Sequence, residues 1–264
     1  MRKSILKFLC VGIFTCGVMA CGDDSESEDV NVTPKEETED IDKDEQSEAQ
    51  DSTQKQNNAN DSTQSIIHEF VDLGLTSGTL WAKENIGATN CFEYGHFFAW
   101  GETNTKDFYT FDNYKYKGET VMMVSKYCLS EESGPLDNLS NLLSEDDAAT
   151  ALWGEGWTMP TYGQMQEIMK ECECVWARDY EGSGINGLLV KSKTNDNSIF
   201  LPAAGMFDNK LNYEASECFY ATKTVFEFGS YRAWVMDATS IYNNCANINR
   251  YNGYSIRPVV NKIQ

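Results

Sequence analysis

The sequence predicts an α+β domain of short antiparallel strands with two helices, preceded by a disordered acidic tether. Three observations carry this. Composition changes abruptly at residue 65, beyond which lie all six tryptophans, all thirteen tyrosines and every phenylalanine except Phe8 and Phe14. Two helix starts with capping patterns sit mid-domain, at Ser144 and Thr161. Short runs of β-branched and aromatic residues, closed by glycine or proline, flank these helices on both sides. That order fits an α+β domain whose termini pair in one sheet.

Residues 1–20 read as an export signal. Arg2, Lys3 and Lys7 make a basic start, and an apolar run of about 14 residues follows from Ile5 to Val18. That is short of the ~20 residues a spanning helix needs. The run ends in Val18-Met19-Ala20-Cys21, a small residue directly before a cysteine, which is the pattern of a bacterial lipoprotein signal. Cys21 is therefore the expected lipid-attachment site and mature N-terminus, with two or more acyl chains giving stable anchoring. Gly22-Asp23-Asp24 follows, and this acidic start resembles the surface-export signal of lipoproteins in Bacteroidota-type bacteria. The expected location is the outer membrane, lipid-anchored and facing the cell exterior.

Residues 21–64 form the tether. From 22 to 64 there are 15 acidic and 3 basic side chains and no aromatic residue, for a charge of −12. Such a segment buries too little apolar surface to offset its ordering entropy, and its like charges extend it. Residues 65–264 are long enough for one domain with a sizeable core. Of the total −20, the leader contributes +3 and the tether −12, which leaves −11 here. An acidic surface speaks against nucleic acid and against docking on anionic lipid.

The elements follow in order. Residues 70–75 and 77–82 read as a hairpin with glycine turns, and residues 94–102 as an aromatic strand. Residues 104–141 are polar, tyrosine-rich and without period, a long insertion. A capping box of Ser144 with Asp147 opens the first helix, which Gly154 stops. A second box, Thr161 with Gln164, opens another helix directly after Pro160. There Met165, Ile168, Met169 and Cys172 form one apolar stripe, read as core packing. Strands are expected over 187–192, 197–202, 232–236 and 253–260.

Six cysteines remain in the domain: Cys91, Cys128, Cys172, Cys174, Cys218 and Cys245. Export permits disulfides, and six cysteines allow 15 pairings that the sequence does not decide between. Disulfides or buried thiols are expected rather than a metal, because no C-x₂-C pair and no nearby histidine supports zinc. Cys172 and Cys174 are too close for a comfortable bond, and Cys218 with Cys245 reads as a plain disulfide.

Several blocks together resemble a known family. They are residues 71–75 with 77–82, Asn85-Ile86-Gly87-Ala88, Phe98-Ala99-Trp100-Gly101-Glu102, Asp146-Asp147-Ala148-Ala149, Gly156-Trp157-Thr158-Met159-Pro160-Thr161, residues 199–205 and Ser255-Ile256-Arg257-Pro258-Val259. In this order they are similar to the FISUMP domain, the Fibrobacter succinogenes major paralogous domain, across nearly all of 71–260. The resemblance implies a C-type-lectin-like fold, shared with formylglycine-generating enzymes, in which the Trp-x-Met-Pro-Thr block turns into the second helix. It supplies no catalytic residue. The chain also lacks the Glu-Pro-Asn, Gln-Pro-Asp and Trp-Asn-Asp motifs of calcium-dependent sugar binding.

The expected function is a non-enzymatic binding or adhesion domain for a glycan or protein, shown at the cell surface. The alternatives are a structural subunit of a surface assembly and, behind it, a hydrolase or thiol oxidase. No Gly-x-Ser-x-Gly, His-Glu-x-x-His or phosphate-cradling Gly-x-x-x-x-Gly-Lys-Ser/Thr loop occurs. Carboxylates are too plentiful for counting to exclude a paired-carboxylate glycosidase. Of the two histidines in the domain, His68 lies at the tether edge and His96 reads as packed within the aromatic strand. No cofactor and no metal are expected, with Asp146 and Asp147 read as capping residues rather than calcium ligands. The candidate binding segment is 241–252, read as irregular, where Tyr242, Asn244, Asn247, Asn249, Arg250 and Tyr251 offer amides for hydroxyls, rings for apolar faces and an arginine for acids.

Overall fold

A computed structural model describes residues 68–261. The expected signal, the expected lipid-attachment site Cys21 and the expected tether lie outside the described residues. The domain opens with the expected hairpin: β1 (Phe70–Asp72) pairs antiparallel with β2 (Thr79–Ala82), Phe70 opposite Ala82. The expected long insertion follows and contains no strand, only one 3-10 turn at Glu131–Ser133. It is not peripheral, however. Tyr109, Tyr114, Tyr116 and Tyr127 all point into the core around Trp100 and Tyr254.

The first helix, α1 (Ala148–Trp153), begins later than its capping box predicts. Ser144–Asp146 is a separate 3-10 turn without a side-chain cap. The reason is Asp146, whose carboxylate turns inward to Lys115, Lys126, Tyr116 and Tyr127. The chain kinks at Asp147, which becomes the cap and accepts the N–H groups of Ala149 and Thr150. β3 (Trp157–Thr158) leads into α2 (Tyr162–Glu171), whose expected capping box is complete. Thr161 Oγ1 accepts from Gln164 N at 3.2 Å, and Gln164 Oε1 accepts from Thr161 N at 2.9 Å. Met165, Ile168 and Cys172 of its stripe are buried.

The remaining strands are β4 (Cys172–Ala177), β5 (Gly187–Ser192), β6 (Ser198–Pro202), β7 (Met206–Phe207), β8 (Leu211–Asn212), β9 (Cys218–Val225), β10 (Arg232–Ala238), β11 (Asn243–Asn249) and β12 (Val259–Asn261). Among the described residues they form four small antiparallel sheets, ordered β1-β2-β12-β3, β11-β10-β9, β4-β5-β6 and β7-β8. β12 pairs with β2, so the two ends of the domain do share one sheet. A second core cluster, around Trp81, Met165 and Tyr220, lies where α2 packs on the sheets.

Three expected elements differ. Residues 94–102 are not a strand. They make one bridge, Phe98 to Tyr254, because Gly95 and Gly101 take left-handed φ values of +71° and +78° that break the extended run. Residues 253–255 make isolated bridges and Pro258 O accepts from Ala82 N, but no continuous strand forms before the short β12. Residues 243–249, read as irregular, are a regular strand paired residue for residue with β10.

All six cysteines of the domain are free. Cys218 and Cys245 do not form the expected disulfide. They sit on the two outer strands of one sheet with β10 between them, Cys218 opposite Ala238 and Cys245 opposite Met236. Two inter-strand spacings put them about 10 Å apart or more, beyond the ~7 Å limit of a disulfide.

Candidate functional site

The clearest concavity is a cleft of about 740 Å³ beside the β1–β2 end of the domain. One wall is the loop after β2, which opens at Lys83. There Lys83 N donates to Glu69 O at 3.0 Å, and Lys83 Nζ pairs with Glu69 at 2.8 Å, so each holds the other charged. Beneath the loop, Asn85 is fully buried and donates to Tyr94 O at 2.9 Å and to the Tyr220 hydroxyl at 3.1 Å. Its carbonyl oxygen accepts from Arg257 Nε at 2.9 Å. The Arg257 guanidinium, also fully buried, donates to Ala82 O and Phe200 O. The cleft wall is thus fixed by a buried polar network rather than left to loop packing.

Two further turns shape the loop. Glu93 accepts from Thr89 N, Thr89 Oγ1 and Asn90 Nδ2, closing a small knot at the rim. Gly87 has φ +81°, and a Cβ there would lie 2.4 Å from Cγ of His96. Glycine is required both for the backbone and for the imidazole that lies against it. His96 N donates to Ile86 O at 2.8 Å, so the ring is placed by the main chain. His96 is exposed at the cleft and is not packed within a strand as expected.

The other wall comes from α1 through Leu152 and Trp153. His68 stacks on Trp153 with ring centroids 3.6 Å apart and planes 7° apart, and Trp157 meets both rings edge-on. His68 Nδ1 lies 3.8 Å from Glu84 Oε1. Cys91 is half-buried at the cleft, and burial pushes its thiol up, away from a reactive thiolate. The cleft therefore offers an apolar floor at Ile86, a wall of Leu152 and stacked rings, and charged groups of both signs at the rim. That combination suits recognition of a ligand with one apolar face and polar edges.

The six residues expected to bind in 241–252 do not form one site. Arg250 is the clear correction: it is 0% exposed, with its guanidinium 4.2 Å above the Trp100 ring. It donates to the carbonyls of Lys126 and Ser230 and to the Tyr114 hydroxyl, and its burial closes it to a ligand acid. Tyr242 places its hydroxyl 3.1 Å from Glu217 and 3.0 Å from Asp237. Burial pushes both of these carboxyls up. Asn244 lies opposite Asp237, whereas Asn247 and Asn249 fall on the other face of β11, beside Trp234 and Arg232. Asn247 accepts from Arg232, and Asn249 donates to Tyr251.

Asp146 and Asp147 are occupied. Besides the helix cap, Asp147 accepts from Met159 N at 3.0 Å and pairs with Lys223 at 3.2 Å. Asp146 holds two lysine ammoniums at 2.7 Å each. Among the described residues no group of three histidine, cysteine or carboxylate side chains is set to hold a metal, and no helix is long and apolar enough to cross a membrane.

His68, Lys83, Cys91, His96 and Trp153 escaped prediction as a set. The available signal was weak: both histidines of the domain, weighed singly, converge on one cleft. No family model, curated protein or solved structure matches the chain.

Proposed function

We propose that this chain is a lipid-anchored binding module of the FISUMP type. Cys21 carries the acyl chains, residues 21–64 hold the domain away from the membrane, and a C-type-lectin-like domain presents the ligand site to the exterior. The single observation that carries the binding reading is the cleft, with its ring-lined wall, its charged rim and a loop wall pre-organised by Asn85, Arg257 and Tyr220. The ligand is a glycan or a protein segment that sets an apolar face against His68–Trp153 and Ile86 and polar edges against Lys83 and His96. Cysteine chemistry has no support here. The Cys218 and Cys245 thiols are each pushed up to about 12 by burial and lie on separate outer strands.

The test is a binding screen of the chain from Gly22 onward against arrays of host and microbial glycans and surface proteins, first with calcium and then with chelator. Binding that survives chelation and falls about tenfold or more in His96→Ala or Lys83→Ala supports the cleft. A ligand indifferent to both substitutions removes it as the site. A ligand lost with chelator overturns the metal-independent reading.

A further inference from the structure

β11 is the outer strand of its sheet, pairing with β10 alone. Exposed strand edges are templates for further pairing, and proteins usually blunt them with charge, proline, brevity or a cover. The other edges of this domain are blunted. β1 has three residues, and its Asp72 carbonyl is taken by the amides of Asn195 and Asn197. β4 carries Glu173. The Phe200 carbonyl of β6 is taken by Arg257. β9 is bridged on its outer side by Gly205, Ser255 and Asn141. β11 reads Asn-Asn-Cys-Ala-Asn-Ile-Asn, seven residues with no charge and no proline.

Its free side can be read from its partners. Cys245 N donates to Asn244 Oδ1 rather than to β10, and the Asn249 carbonyl accepts from the Tyr254 hydroxyl. Alternate residues of an antiparallel strand turn their backbone groups the same way, so Cys245, Asn247 and Asn249 all face outward. β10 agrees, because Trp234, which lies opposite Asn247, directs its carbonyl to Thr222 of β9. The N–H and C=O of Asn247 have no partner among the described residues. The cover on Cys245 N is an amide from the adjacent residue, which an incoming strand displaces without breaking the ladder.

We propose that β11 is an interface between two copies of this chain, paired antiparallel across a two-fold axis at Ala246. The strand is suited to itself. In that register Cys245 faces Asn247 of the second copy, so the outward groups meet as hydrogen-bonded pairs. Asn243 comes opposite Asn249, whose carbonyl the Tyr254 hydroxyl already takes, so the new ladder runs through the two symmetry-related Cys245–Asn247 pairs. No like charges oppose one another although the domain as a whole is acidic, and the contact is isologous and closed. This inference does not depend on the cleft.

Sedimentation of the full mature chain over a wide concentration range tests it, with three variants. The expected result for the natural chain is a reversible monomer–dimer equilibrium. Asn247→Pro removes the outward N–H, along with the side-chain amide that accepts from Arg232 within the same domain, and weakens association about thirtyfold, the equivalent of two symmetry-related hydrogen bonds at about 1 kcal/mol net each. Ala246→Lys and Ala246→Glu each put like charges on the axis and sediment as monomers, whereas their equimolar mixture dimerises. This mixture decides the matter if the proline variant fails to fold. A natural chain monomeric at every concentration overturns the proposal, and that includes the case in which β11 accepts a strand from another protein. A dimer that persists in the lysine and glutamate variants alone also overturns it.

Discussion

Asp146→Asn tests how the long insertion is bound to the rest of the domain. The Asp146 side chain is 2% exposed and meets four groups from the insertion: the ammoniums of Lys115 and Lys126 and the hydroxyls of Tyr116 and Tyr127. Asparagine keeps the shape but loses the charge. The two bonds to the remaining oxygen, one from an ammonium and one from a hydroxyl, then lose the negative charge of their acceptor, a loss of about 1 kcal/mol each. The new NH₂ also points at a lysine and a tyrosine that both donate, which leaves a buried polar group unsatisfied for about 1–2 kcal/mol more. The sum is about 3–4 kcal/mol, in line with breaking one partner of a buried ion pair. For a domain of this size that lowers Tm by about 10 °C.

The pH dependence gives an independent check. Burial alone would push the Asp146 carboxyl up. The hydrogen bonds from Lys115, Lys126, Tyr116 and Tyr127 outweigh it and hold the group well below the usual carboxylate range. A carboxyl depressed in the folded state contributes stability that is complete above its unfolded value of about 3.9 and is lost as pH falls below it. The gap in Tm between the natural chain and Asp146→Asn should therefore be widest at neutral pH and shrink below about pH 4. Tryptophan fluorescence melts at several pH values measure it. A loss under about 1 kcal/mol at pH 7, or a gap that does not narrow in acid, refutes the argument.

Gly87→Ala should cost about 1–2 kcal/mol, because alanine disfavours φ +81° and its Cβ strikes the His96 ring. The His96 proton resonances should shift with it, and an unchanged melt with unmoved resonances counts against the close packing. Glu217→Gln should raise Tm at neutral pH. Burial pushes the Glu217 and Asp237 carboxyls up, so their contribution is favourable at low pH and is lost as pH rises through their folded values. A lower Tm for the glutamine variant at pH 7 would count against that sign. Thiol titration of the denatured, unreduced domain should find all six domain cysteines free, and a count of four would show a disulfide where the structure has free thiols.

Local signals were legible and long-range ones were not. The hairpin of β1 and β2, the box that starts α2, its buried stripe and the pairing of the two ends all rest on neighbours within a few residues or on apolar pattern. Residues 94–102 misled because apolar aromatics suggested a strand, while two glycines with positive φ set the path. The first helix started late because Asp146 is drawn to lysines and tyrosines 19 to 31 positions away, which no capping pattern encodes. The cleft was hidden for the same reason. His68 and Trp153 are 85 positions apart in the sequence yet lie face to face.

The misreading of 241–252 has a more general cause. Two arginines of this domain, Arg250 and Arg257, are 0% exposed, and both spend their donors mainly on main-chain carbonyls. The carbonyls concerned belong to the insertion, to the turn before β10, to the end of β2 and to the outer side of β6. These are places where no neighbouring strand supplies an N–H. Buried backbone groups must find partners, and a domain with short strands and a long irregular insertion has many that its sheets leave unpaired. A guanidinium, with five donors in a planar fork, satisfies several at once. Asn85 does the same work with its amide between Tyr94 O, Tyr220 and Arg257. Asparagine and arginine beside aromatic residues look like a ligand site in sequence because the same donors that grip a ligand also hold irregular backbone. Here burial separates the two roles: Arg250 holds the scaffold, while His96 and Lys83 at the cleft remain open to a ligand.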